Sequence, residues 1–160
     1  MNSSRAARIR PPADENPHGL FRDGLHYLKR NDVQKAMTAF ESAFRQNPAD
    51  PKYMSYLGLC RVLLRKDVKV AVALCEKAAK QSIYDPDVFH NLGRVYLERG
   101  NRKKALKALM HGLQVDAGNQ GILQTLTQMK TRGTPPITFL PRNHPLNYVL
   151  GKFLARLGLR

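Results

Sequence analysis

The chain contains no tryptophan, only two cysteines and few acidic groups, and the last two shortages narrow what the protein can be. Cys60 and Cys75, without a CxxC pair or a secretory segment, exclude a disulfide framework and a cysteine zinc site, and they read as reduced core residues. No apolar run approaches the roughly 18 residues that a membrane span requires. The N-terminal stretch MNSSRAARIRPPADENP lacks the apolar centre of a signal peptide. Pro11, Pro12 and Asp14 would interrupt an amphipathic transit helix, so residues 1–16 are expected to form a disordered basic arm and the chain to be cytoplasmic.

The chemistry of enzymes is equally sparse. His18, His26, His90, His111 and His144 are scattered, and no HExxH, Cys/His cluster or acidic loop has metal-ligand spacing. GxxxxGK[ST], GxGxxG after a strand and GxSxG are absent. Asp85 and Asp87 could form a carboxylate pair, but beside Pro86 they suit the start of a helix, where an acid caps the first turn. The expectation is a protein without catalysis, metal or cofactor.

Acid is scarce enough, at 12 Asp and Glu against 27 Lys and Arg, to leave a net charge of +15. Residues 1–13 hold three arginines and residues 117–160 six basic groups, with no acid in either segment. Such a balance favours anionic partners.

What the chain does have is periodicity. Asn16-Pro17, Asp50-Pro51 and Asp85-Pro86 recur at intervals of 34 and 35 residues. Each sets a side-chain acceptor at an N-cap and proline at the first helical position, where its missing N–H costs nothing. Asn119 continues this ladder without the proline, and a second ladder of caps, Asp32, Asp67 and Asn101, marks another helix in each unit. Gly24, Gly58 and Gly93 recur in the first helices and Ala36, Ala71 and Ala105 in the second, as small residues should where paired helices approach closely. Leu20, Met54 and Phe89, then Phe40, Cys75 and Leu109, supply bulk between them. The extra residue of the middle unit falls near Arg65-Lys66, where a turn would absorb it harmlessly.

These residues resemble the tetratricopeptide repeat family, whose 34-residue unit carries a small residue at its eighth position, an aromatic at the eleventh, Ala at the twentieth and often Pro near the thirty-second. Tyr27 and Tyr96 match the aromatic and Pro48 the proline, whereas Arg61, Ile83 and Ala117 depart from the pattern. The resemblance covers about residues 17–132. It implies an all-α, right-handed solenoid of three helix-turn-helix repeats, residues 17–50, 51–85 and 86–119, closed by a capping helix on Ile122, Leu123, Leu126 and Met129. After it, residues 133–160 are expected to form a proline-rich connector and an amphipathic helix from Pro145 to about Leu157, which would dock on its own repeats, on a second chain or on an anionic membrane.

The resemblance also implies where a partner would bind, since the first helix of each unit lines the concave surface. Inward positions are then Phe21, Arg22 and Leu25, Ser55, Tyr56 and Leu59, His90, Asn91 and Arg94, with Gln124 and Thr125 from the capping helix. Phe21 and Tyr56 are expected as exposed aromatic anchors, removable without loss of the fold, while Leu25 and Leu59 fit either groove or interhelical packing. One subset of the family grips chaperone C-termini with Lys and Asn where this chain has Phe21 and Leu25, so that clamp is missing. The function implied is a non-catalytic module binding an extended or helical segment of another protein, an acidic one included, with a homodimer through the C-terminal helix as an open arrangement. The alternative is a basic peripheral factor meeting an anionic membrane or nucleic acid through its ends and through Arg102, Lys103, Lys104 and Lys107 on the convex side.

Overall fold

In a computed structural model the helices begin where the sequence offers an acceptor for the unpaired N–H groups of a first turn. The structure describes residues 16–131. Seven helices fill this span: α1 Pro17–Lys29, α2 Val33–Gln46, α3 Pro51–Leu63, α4 Val68–Gln81, α5 Pro86–Glu98, α6 Arg102–Val115 and α7 Gln120–Thr131. No strand occurs among the described residues. The expected arm, proline-rich connector and C-terminal amphipathic helix lie outside them.

The chain divides into two compact units, residues 1–122 and 123–160, with the boundary inside α7. Within the first, α1 pairs with α2, α3 with α4 and α5 with α6 as successive antiparallel hairpins, an all-α solenoid. In the second, Leu126 and Met129 are buried and Leu123 is partly so.

The proline ladder works as its chemistry requires. Asn16 accepts from the His18 N–H at 2.9 Å, Asp50 from Lys52 at 2.8 Å, and Asp85 from both Asp87 and Val88 at 3.0 and 3.4 Å. Asn119 caps α7 by accepting from Ile122 at 3.1 Å. On the second ladder Asp32 and Asn101 accept from Lys35 and Lys104, but Asp67 makes no such bond. The cause is the extra residue. In the first and third hairpins the turn closes with Asp32 N–H on the Tyr27 carbonyl and Asn101 N–H on the Tyr96 carbonyl, so the closing residue is also the cap. In the middle hairpin Lys66 closes onto Arg61, leaving Asp67 as a surplus residue in the left-handed region at φ 43°. From that conformation its carboxylate caps no N–H of α4. Arg65 is left-handed at φ 55°, as are Asn31 and Gly100 at the same place in the other turns, so the strain that the insertion itself adds to the backbone is that of Asp67.

The glycine ladder lies at the tightest contacts. A Cβ on Gly24 would lie 2.5 Å from the Phe40 ring, one on Gly58 2.5 Å from the Cys75 sulfur, and one on Gly93 2.6 Å from Leu109. Ala36, Ala71 and Ala105 are fully buried opposite them. The core runs through Phe40, Tyr53, Met54, Leu57, Leu59 and Val88 to Leu109, and Ile122 Cδ1 lies over Gly112. Cys60 and Cys75 are buried free thiols, and burial pushes both up to about 12, far from the thiolate form.

Arg61, which stands in place of the aromatic, keeps that position's connection to the preceding unit. Tyr96 donates to Glu76 on α4, and Arg61 forms an ion pair at 3.2 Å with Glu41, the matching residue of α2. Lys35 lies over the remaining aromatic of the series, Tyr27, at 5.8 Å.

Candidate interaction surface

The first helices of the hairpins place their predicted inward residues side by side, but the residues divide into three kinds. Ser55, Leu59 and Asn91 are buried at 0, 0 and 2% exposure, so they cannot meet a partner directly; for Ser55 and Asn91 this departs from expectation, and for Leu59 it is the interhelical packing that the sequence leaves open. Helices α3 and α5 pack on one another there, and the Asn91 amide donates to the Ser55 hydroxyl at 3.1 Å across the joint. That bond satisfies a buried amide and fixes the register of two units.

Phe21 and Tyr56 are the second kind, and they are not the exposed anchors expected. Both are partly buried. Phe21 lies 5.4 Å from Phe40, 5.1 Å from Tyr53 and 5.2 Å from Tyr56, and Tyr56 lies 5.2 Å from Phe40. Rings from α1, α2 and α3 thus form one cluster, whose edge remains open to solvent. Burial pushes the Tyr56 hydroxyl up to about 12, and a bond from Asn91 acts in the opposite direction. Leu25 packs against the same cluster.

The third kind is accessible and polar. Arg22 is exposed. His90 is half-buried with its ring against Gly121, where a Cβ would meet it at 2.8 Å. Burial, and then the charge of Arg94, hold its imidazole down at about 4. Arg94 itself is partly buried, and no carboxylate lies within ion-pair distance of it among the described residues. Burial lowers its pKa, while Cys60, Tyr56 and Glu98 act the other way. Gln124 is exposed and Thr125 partly so, and both belong to the second unit.

The basic run on α6 also divides. Lys103 and Lys107 are exposed, and Arg102 is partly exposed. Lys104 is held 3.9 Å from Glu76 and 5.3 Å from the centre of the Tyr96 ring. Among the described residues, no group of three His, Cys, Asp or Glu could hold a metal ion, and no helix is long and apolar enough to cross a membrane.

Helical hairpins of one period, joined through small-residue contacts and presenting one helix each to a common face, define a protein-binding repeat scaffold. The chain belongs to the tetratricopeptide repeat family, whose models match residues 21–86 and 86–119. It is 28% identical over 132 residues to the BBSome complex member BBS4 of Bos taurus, covering 81% of this chain but only 24% of that protein's length. Among solved structures it resembles TTC0263, a tetratricopeptide protein of Thermus thermophilus, with TM-score 0.64, 19% identity and coverage of 88% of this chain and 74% of the other. It also resembles the first tetratricopeptide domain of Spaghetti (RPAP3) bound to the HSP90 peptide SRMEEVD, with TM-score 0.57, 16% identity and coverage of 72% and 91%. These structural likenesses establish the fold.

Proposed function

We propose that the first unit holds an acidic segment of a partner protein, extended or helical, on the face presented by α1, α3 and α5. The observation that carries this reading is Arg94, a partly buried guanidinium within electrostatic reach of the Tyr56 hydroxyl, with no carboxylate in ion-pair distance among the described residues. Taking an arginine partly out of water is unfavourable unless charge-assisted hydrogen bonds replace the lost hydration, and an incoming carboxylate supplies them. The open edge of the aromatic cluster at Tyr56 offers apolar area next to that charge, a pairing suited to an interface anchor. The similar repeat domain solved with an HSP90 peptide supports a peptide as the kind of ligand. Phe21 and Leu25, standing where chaperone-tail binders carry Lys and Asn, point to a different acidic sequence.

Fluorescence anisotropy with a panel of labelled peptides graded in Asp and Glu content tests this. Arg94→Gln should weaken the best acidic peptide by about tenfold or more, as expected for losing a charged hydrogen bond, while Arg22→Gln on the exposed surface changes it little. Equal losses in the two variants, or none in Arg94→Gln, would refute the assignment.

A further inference from the structure

The hairpin array has two edges, and their charges are opposite. One edge carries the turns within hairpins, α1 to α2, α3 to α4 and α5 to α6. Lys66 Nζ donates to Gln34 Oε1 at 3.3 Å, setting the second turn against the start of α2. Lys69 at the start of α4 and Arg99, Asn101 and Lys104 around the third turn line one open cleft of about 290 Å3, with Tyr96 and with Glu76, which lies 3.9 Å from Lys104. The three turns therefore form a continuous row. The segments 29–35, 64–69 and 98–104 that build it hold ten Lys and Arg against three Asp and Glu. One of those acids, Asp32, is engaged by Lys35 at 3.1 Å.

The other edge carries the turns between hairpins, tied together by Tyr53 to His18 at 3.0 Å, Lys52 to Asp85 at 3.4 Å and Asn119 to Asp87 at 3.5 Å. Segments 46–52, 81–87 and 115–121 hold four acids and one base, Lys52, already paired, with the exposed Arg45 and Lys80 one residue before the first two. Cations thus gather on one edge and carboxylates on the other. Repeat packing does not require this, because the turns of both edges are largely solvent-exposed and could carry either sign.

We propose that the basic edge docks the protein on an anionic phospholipid surface. Its cations stand at the tips of exposed turns: Lys29, Arg30, Arg65, Lys66, Lys69 and Arg99 are all exposed. A row of long cationic side chains suits a plane of diffuse negative charge, to which juxtamembrane Lys and Arg contribute additively. Val70, 52% exposed beside Lys69, adds an apolar contact within the row. Single-stranded nucleic acid is disfavoured, because stacking needs open rings and the tyrosines near this edge, Tyr27 and Tyr96, are partly buried under Lys35 and Lys104. The exposed Tyr84 belongs to the acidic edge. Repulsion of that edge from the same surface would orient the molecule with its basic turns downward.

The test uses the full chain and sedimentation with vesicles of phosphatidylcholine alone or mixed with about a third phosphatidylserine, the fraction of charged lipid that gives such surfaces their potential. Binding is expected to the mixed vesicles only. Lys66→Glu with Arg99→Glu should lower partitioning by about tenfold or more. Arg45→Glu with Lys80→Glu, an equal charge change at exposed sites near the other edge, should leave most of it. Circular dichroism should show that both variants remain helical. The proposal is overturned if the wild type ignores mixed vesicles at physiological salt. It also fails if both variants lose equally, or if the edge variant keeps vesicle binding and loses only affinity for an RNA duplex.

Discussion

Alanine at Gly58 should destabilise the protein although alanine is the better helix former. The new Cβ would lie 2.5 Å from the Cys75 sulfur and 2.8 Å from the Ala71 carbonyl oxygen. Neither neighbour can retreat cheaply, since Cys75 and Ala71 are both fully buried and the carbonyl belongs to the backbone of α4. Overpacking of this kind costs about 1–3 kcal/mol, and replacing a helical glycine returns about 1 kcal/mol. Because one of the two contacts is with backbone, the upper part of the overpacking range, about 2–3 kcal/mol, applies, so the net loss is about 1–2 kcal/mol, or roughly 2–8 °C in Tm at the 2–4 °C per kcal/mol typical of this size. Gly19→Ala is the control, because a Cβ there meets nothing within 4 Å and only the propensity gain remains. Thermal melts followed by circular dichroism should therefore move in opposite directions for the two variants. Adding Cys75→Ala to Gly58→Ala should recover only part of the loss, as the carbonyl contact persists. If Gly58→Ala melts at or above Gly19→Ala, the glycine ladder does not mark the closest helix contacts and the packing argument fails.

The strained middle turn gives a second expectation: Arg65→Gly should raise stability by about 0.5–1.5 kcal/mol by removing the left-handed cost, read as a higher urea midpoint at unchanged slope. Asp85→Ala should cost about 1–2 kcal/mol, because it removes an acceptor serving two N–H groups of α5 and the partner of Lys52. His90 gives a pH signature. Its imidazole is held at about 4 in the fold against 6.5 ordinarily, so between these values the unfolded chain binds the extra proton, and stability is lost as pH falls through that window. Wild type should lose up to about 3 kcal/mol relative to His90→Gln between pH 7 and pH 4. A constant difference across that range would show that the fold does not depress the His90 imidazole.

The parts of this structure that can be read from sequence are those decided within a few residues or repeated three times. Asn16, Asp50 and Asp85 cap because each acceptor reaches only two or three residues along its own chain. Gly24, Gly58 and Gly93 are legible because the alanine ladder opposite them repeats with nearly the same period. Asp67 looks like its counterparts and is not a cap. One surplus residue changes the backbone angle at that point, and composition does not report angles. Ser55, Asn91, Phe21 and Tyr56 depart from expectation for a different reason. A position on the inner side of a helix is open or covered according to what a neighbouring helix places against it, here Phe40 from α2 and the joint of α3 with α5.

The same distinction gives Arg94 its weight. Asn91 and Arg94 are one turn apart on α5 and both face α3, yet the amide finds Ser55 and the guanidinium finds no carboxylate among the described residues. A buried polar group satisfied across a joint contributes to the fold. A partly buried charge left without an ion pair contributes nothing comparable to the fold, and the acidic segment proposed above is what would give Arg94 a role on the face of α1, α3 and α5.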